Sequence, residues 1–215
     1  MSELKQTCPD FLIDAAIDLM AEHGYVAMSM RKLASHIGIL PGSLYHHVSS
    51  KQDILLDVVL AVVDRRLHAW SRYSGKRDLA GYINFLMVRQ RSHPKEELLL
   101  RHELRHLEPS AKIWGLQAME KLRTPLQTII ENGRRAGMYS VAEPSVATEA
   151  VLALLDAGNK LRQLHYRAER LEEEMLQMVE GMLGANLSPA LALQQPLEAI
   201  SELRAPCACA LGWPR

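Results

Sequence analysis

The stretch SMRKLASHIGILPGSLYHHVSSKQ, residues 29–52, decides the fold. It reads as two short helices around a glycine turn. Ser29 is placed to cap the first, and Met30, Leu33, Ala34 and Ile37 recur at helical spacing. Gly38 then interrupts it and supplies the positive φ that a tight turn demands. Pro41 opens a second helix, where a missing N–H costs no ladder bond, and that helix is expected to reach about His47. Ser49 or Ser50 caps a long helix from Lys51 through Trp70. Two short helices set at a steep angle by a Gly turn form the helix-turn-helix, whose second helix lies in the major groove of duplex DNA. If Ala34, Ile37, Leu44 and Val48 lock the pair together, Gly42, Ser43, Tyr45, His46 and His47 are left on the outer faces. Small residues at 42 and 43 let the helix N-terminus approach a phosphate or base edge, and Tyr45 and His47 can donate to phosphate oxygens. Lys51 places a cation in the first turn of the next helix, against the helix dipole, a conflict that a phosphate ligand resolves.

The charge pattern supports this placement locally and not globally. Between Met28 and Gln52 stand Arg31, Lys32 and Lys51 and no acidic residue, whereas the preceding helix carries Asp10, Asp14, Asp18 and Glu22. Up to residue 75 seven cations face eight anions, and the whole chain balances 25 Lys and Arg against 25 Asp and Glu. Any attraction for nucleic acid must come from concentration of charge on one surface.

Working outward, nearly every segment has helical periodicity and none alternates as a strand does, so an all-α fold is expected. The first helix starts at Pro9 or Asp10 and ends at His23, with Gly24 as its C-terminal stop. After Ser74–Arg77 come longer helices at about 79–92, 95–107, 110–136, 144–165 and 168–184, with Pro125 expected to kink the third. About nine helices result. The expected division is 1–50 for a DNA-binding head, 51–73 for a connecting helix, 74–185 for a second helical domain and 186–215 for a weakly ordered tail. A helix across Leu197–Arg204 is the one element expected within that tail.

Length and composition narrow the class. A chain of 215 residues, 48% hydrophobic, can build a substantial core. Its longest aliphatic run is Val58–Val63, far below the roughly 20 residues that span a bilayer. MSELKQTCPD lacks the apolar core of a signal peptide, and the three cysteines, Cys8, Cys207 and Cys209, read as reduced thiols. A cytoplasmic protein with no membrane association is the expectation.

Residues 11–59, FLIDAAIDLMAEHGYVAMSMRKLASHIGILPGSLYHHVSSKQDILLDVV, resemble the N-terminal domain of the TetR/AcrR family of transcriptional regulators. The carrying motifs are the helix ending in Gly24–Tyr25, then SMRKLA, GSLYHH and SKQDIL. The resemblance implies a homodimeric all-α protein with a three-helix helix-turn-helix head. A long helix would join that head to a C-terminal ligand-binding and dimerisation domain. Function would be that of a ligand-responsive regulator, usually a repressor, on a palindromic duplex operator. Carried over residue by residue, Ser29, Arg31 and Lys32 would contact DNA from the second helix. Gly42, Ser43, Tyr45, His46 and His47 would form the reading helix, and Lys51 would anchor phosphate. This chain has Leu40–Pro41 where the family often has Ser-Lys, and Val48 where it often has Phe, which shifts phosphate contact onto Lys32 and Lys51.

Other features carry rival readings. His102-Glu103-Leu104-Arg105-His106 spells H-E-x-x-H, with two histidines at i and i+4, and a zinc-dependent hydrolase is the alternative it raises. Arg105 inside the motif, Arg101 before it and the lack of a third-ligand pattern argue against a metal. His102, His106, Tyr82, Phe85 and Trp114 are instead candidates for the lining of a cavity for a small lipophilic effector. Val146, Ala150, Leu154, Leu161 and Leu164, then Leu171, Met175, Met178, Val179 and Met182, form apolar stripes on the last two helices. The resemblance places a homodimer interface there, drawn from Val146, Ala150, Leu154, Leu161, Leu171, Met175, Met178 and Met182. A dimeric scaffold that no longer binds DNA is the remaining alternative. No enzyme activity, cofactor or metal is expected on the preferred reading.

Overall fold

In the computed structural model, residues 8–163 and 168–184 are described. Among them are nine α-helices and no strand: α1 (Asp10–Ala27), α2 (Met30–His36), α3 (Pro41–Leu44), α4 (Lys51–Ser71), α5 (Leu79–Ser92), α6 (Pro94–His102), α7 (Pro109–Arg135), α8 (Pro144–Gln163) and α9 (Ala168–Met182). A single 3-10 turn, Leu104–His106, lies between α6 and α7. The tail with Cys207, Cys209 and the Leu197–Arg204 segment, together with Leu164, lies outside the described residues.

Local chemistry explains most of the element ends. The Ser29 hydroxyl accepts from Lys32 N, the Ser50 hydroxyl from Asp53 N and the Asp78 carboxylate from Gly81 N, each satisfying an orphan donor of a first turn. Gly24 adopts φ 78° and breaks the regular part of α1, after which the backbone resumes helical hydrogen bonding to Ala27. Gly38, at φ 74°, makes the turn between α2 and α3. Two departures from expectation are instructive. α3 is only four residues long, and His46 and His47 sit in a succession of turns closed by bonds to Ser43 O and Leu44 O. α6 ends at His102 instead of running to 107, because the chain tightens into the 3-10 turn. α7, by contrast, runs through Pro125 to Arg135, close to its expected range of 110–136.

Two apolar cores organise the packing. The first joins α1, α2, α3 and the N-terminal half of α4 around Leu12, Ile13, Met20, Leu33, Leu44 and Ile54, and it extends to Leu99, Leu107 and Leu122 of the second half. The second gathers α5, α7, α8 and α9 around Ile83, Leu126, Val151, Leu155, Met175 and Val179. α1 packs on α4 and α6, and α4 packs along α7, so the head rests on the body through a continuous apolar seam. Cys8 belongs to this seam, buried with its backbone N–H donating to the Asp57 carboxylate at 2.8 Å. Burial, reinforced by Asp57, pushes its thiol pKa far up, which makes it inert at neutral pH. Among the described residues no helix is long and apolar enough to cross a membrane.

Candidate nucleic-acid interface

The α2–α3 unit presents one exposed surface. Leu33, Ala34, Leu44 and Val48 are buried and lock the two helices, with Ile37 partly buried beside them. Ser29, Arg31, Lys32, Gly42, Ser43, Tyr45, His46 and His47 are all exposed. The Ser29 side chain is committed to the α2 cap, and Lys32 Nζ reaches back to Ala27 O at 3.1 Å. The His47 ring makes an edge contact with Phe11. Tyr45 is 55% exposed and stands clear of the core.

Electrostatics sharpen the asymmetry seen in the sequence. Three acidic residues of α1 are paired with cations of α4 and α6: Arg65 pairs with Asp14 at 2.6 Å and with Asp10 at 3.7 Å, and Lys95 pairs with Asp18 at 2.7 Å. Arg31 has no carboxylate partner among the described residues, so its charge faces outward uncompensated. Leu40 is 76% exposed at the mouth of α3, an apolar contact available to a thymine methyl, and the sequence reading passed over it.

Lys51, expected to anchor phosphate, also contacts its own chain. Its Nζ donates to Val26 O at 3.1 Å and lies 4.1 Å over the Tyr25 ring. Burial lowers its pKa, with the nearby Glu103 carboxylate acting in the opposite direction. The ammonium is thus half spent inside the protein.

The H-E-x-x-H segment explains where the other half goes. Helix α6 ends at His102, so the two imidazoles do not share a helical face as the spacing suggested. Glu103 is buried and accepts from Tyr25 N at 3.3 Å. The His106 ring stacks on Tyr25 with centroids 5.4 Å apart. Gln52 closes the cluster: its amide N–H groups donate to Tyr25 O–H at 2.9 Å and to His106 O at 2.8 Å, and its carbonyl accepts from Glu108 N at 3.0 Å. The motif is a clasp between head and body, with its glutamate hydrogen-bonded and not available as a base. Among the described residues no group of three His, Cys, Asp or Glu side chains is arranged to hold a metal.

Residues of α4, α5, α6, α7 and α8 line a half-open pocket of about 230 Å3. Of the five residues expected to line an effector cavity, Tyr82 borders this one. Burial pushes its phenol up to about 12, and its hydroxyl donates weakly to Leu122 O at 3.4 Å. Phe85 is packed among Trp70, Tyr73 and Tyr82, Trp114 packs against the first core, His102 is exposed, and His106 is held on Tyr25. Aromatic rings on these helices are used to build the core, which is the commoner fate of such side chains. The expected dimer residues divide as well. Leu171 and Met175 are buried within the chain, while Val146, Leu161, Met178 and Met182 are exposed and Ala150 and Leu154 are partly buried.

Comparison with known proteins agrees with this geometry. Residues 12–58 match the family described as bacterial regulatory proteins, tetR family. Over 53 residues the chain is 42% identical to the HTH-type transcriptional repressor KstR2 of Rhodococcus jostii (strain RHA1), a match covering 25% of this chain and 26% of that protein. The aligned part therefore spans about a quarter of the length of that relative. The fold is shared with a bacterial regulatory protein in the tetR family from Rhodococcus RHA1, at a TM-score of 0.71 and 20% identity over 81% of this chain and 95% of that one. It is shared also with AibR, solved in complex with isovaleryl coenzyme A and operator DNA, at a TM-score of 0.69 and 19% identity over 79% and 96%. The head of this chain, residues 12–58, thus matches the tetR-family model, and the described helices share the fold of these solved regulatory proteins.

Proposed function

We propose that this protein is a ligand-responsive transcriptional repressor, cytoplasmic and without enzymatic activity, that binds a palindromic duplex operator as a homodimer. The observation that carries this reading is the exposed, acid-free face of α2 and α3, with Arg31 free of any carboxylate among the described residues while Asp10, Asp14 and Asp18 are paired with Arg65 and Lys95. One such face neutralises few phosphates, so tight binding needs two heads spaced about one helical turn, ~34–36 Å. The name of the AibR complex, with both an acyl-coenzyme A and operator DNA, supports a regulator of this fold that answers a small molecule. A ligand in the cavity beneath α6 would act on the heads through α4 and through the clasp at Glu103–Glu108, to the extent that it binds one arrangement better than another.

Selection of bound sequences from a random duplex library, followed by titration of the selected site across a salt series, tests the proposal. The expected result is a two-fold symmetric site and an affinity that falls steeply with salt, as release of counterions from several phosphates requires. Absence of duplex binding at low ionic strength overturns it.

A further inference from the structure

Three of the hollows among the described residues differ in the charge of their walls. In the pocket beneath α6, Arg66 pairs with Glu97, Arg101 with Asp156 and Arg123 with Glu149, so its cations are neutralised within the wall. A second hollow, on α7 and the start of α8, holds Arg123 between Glu120 and Glu149, and its wall is net negative. The third is a half-open groove of about 630 Å3 between the C-terminal half of α4 and the middle of α7. Its wall contains Arg77 and Lys121 and no carboxylate. That volume falls within the roughly 300–1,000 Å3 of small-molecule sites.

Both cations are exposed, and neither has a carboxylate partner among the described residues. The acids closest to them in the chain are engaged elsewhere: Glu120 with Arg123, Glu131 with Arg135, and Asp78 with Gly81 N as the cap of α5. Arg77 is also held in place. One terminal nitrogen donates to Ser71 O at 2.6 Å, and the guanidinium lies 5.7 Å over the Trp70 ring. The fork is thereby fixed at the groove while its remaining N–H groups are available to a ligand. The hydroxyls of Thr124 and Thr128 donate to Glu120 O and Thr124 O inside α7, so the Asn132 amide is the neutral donor left in the wall. Leu67, Trp70, Pro125 and Ile129 make the rest of the lining apolar. The groove lies away from the DNA face, since Leu67 is 16 residues along α4 from Lys51, roughly 24 Å at the helical rise.

We infer that this groove binds a small amphipathic organic anion, its carboxylate or phosphate head held by Arg77 and Lys121 and its hydrocarbon body laid against Leu67, Trp70, Pro125 and Ile129. A neutral molecule of the same shape gains the apolar contact alone, and a cation meets two like charges. Apolar walls on one side of the head strengthen its pairing beyond that of an ion pair in open solvent. The groove shares no lining residue with the pocket beneath α6, so it is a further ligand site and not a part of that one. An occupant seated between α4 and α7 bears on the helix that begins at Lys51 beside the head.

Octanoate, octyl phosphate, octanamide and octylammonium share one chain and differ in the head, and ligand-observed NMR titrations against the full chain at about pH 7.5 test the class. Both anions are expected to bind at least about fivefold more tightly than octanamide, with octylammonium weaker still. Their advantage should shrink as salt rises, because the cations they pair with are exposed. Arg77→Gln with Lys121→Gln is expected to bring octanoate within about twofold of octanamide. Lys112→Gln, at an exposed lysine of α7 outside the groove, should leave the preference intact. Lys121→Gln alone, which removes no printed contact of the fold, should reduce the preference about threefold, and it serves if loss of the Arg77 bond to Ser71 O impairs folding. The inference is overturned if octanamide or octylammonium binds as tightly as the anions, if no probe binds, or if the preference survives the double substitution. Binding is read without DNA. A protein that takes the anions yet ignores duplexes keeps this site and loses the regulator reading, and one that binds duplexes without preferring anions does the reverse.

Discussion

Arg31 and Lys51 look interchangeable as cations of one basic window, but their surroundings make them different residues. Arg31 is exposed and has no carboxylate partner among the described residues, so Arg31→Ala should leave the melting temperature within about 2 °C, because surface changes away from special features are usually within ±0.5 kcal/mol. Its effect should appear in DNA binding alone, as a salt slope reduced by about one. Lys51 bonds Val26 O and covers the Tyr25 ring. Lys51→Ala should therefore lower stability by roughly 1 kcal/mol as well as weaken binding, since it removes a charge-assisted bond and a cation–π contact together. Thermal melts beside duplex titrations separate the two, and a Lys51→Ala protein as stable as the parent would mean those contacts contribute nothing. The basic window itself was legible in residues 28–52, because a lack of acids is a property of sequence. That Lys51 turns inward was not legible. Its partners, Val26 and Tyr25, lie 25 and 26 positions away, and Glu103 lies beyond α4, α5 and α6.

At the scale of elements, the caps and turns were written locally and came out where Ser29, Gly38, Pro41 and Ser50 placed them. The apolar stripes of α8 and α9 were visible too, but periodicity does not tell a core face from a docking face. On α9 the two sets interleave. Leu171, Met175 and Val179 recur every fourth residue and are buried against α8 and α5, while Met178 and Met182 stand one step around the helix and are 53% and 43% exposed. Val146 and Leu161 of α8 are similarly exposed at 65% and 38%. The proposed dimer should use this outer set. Met178→Lys with Met182→Lys is expected to give a folded monomer by light scattering. Leu171→Ala should instead lower stability by about 2–5 kcal/mol, the range for truncating a core leucine. A dimer that survives both lysines would move the interface to another face.

For the whole molecule the question is how a body built on its own core can govern a head 50 residues upstream. The apolar seam alone does not answer it, because α4 on α7 and α1 on α6 are held by side chains that tolerate small slides. Directional contacts do not tolerate them. Gln52 is the one side chain in the clasp that bonds three separate stretches at once: Tyr25 at the end of α1, His106 in the 3-10 turn and Glu108 at the start of α7. A shift of α6, whose Glu97, Leu100 and Arg101 border the cavity, must either carry Tyr25 with it or break these bonds. Gln52→Ala should therefore raise hydrogen exchange in two places together, at residues 24–28 and at 103–108, and lower stability by about 1–3 kcal/mol as buried partners lose their bonds. Restored exchange protection in both places with Gln52→Glu is not expected, because a carboxylate lacks the N–H groups that Tyr25 O–H and His106 O accept from. If only the 103–108 stretch loosens in Gln52→Ala, the head is held by packing alone, and any ligand signal must travel through α4.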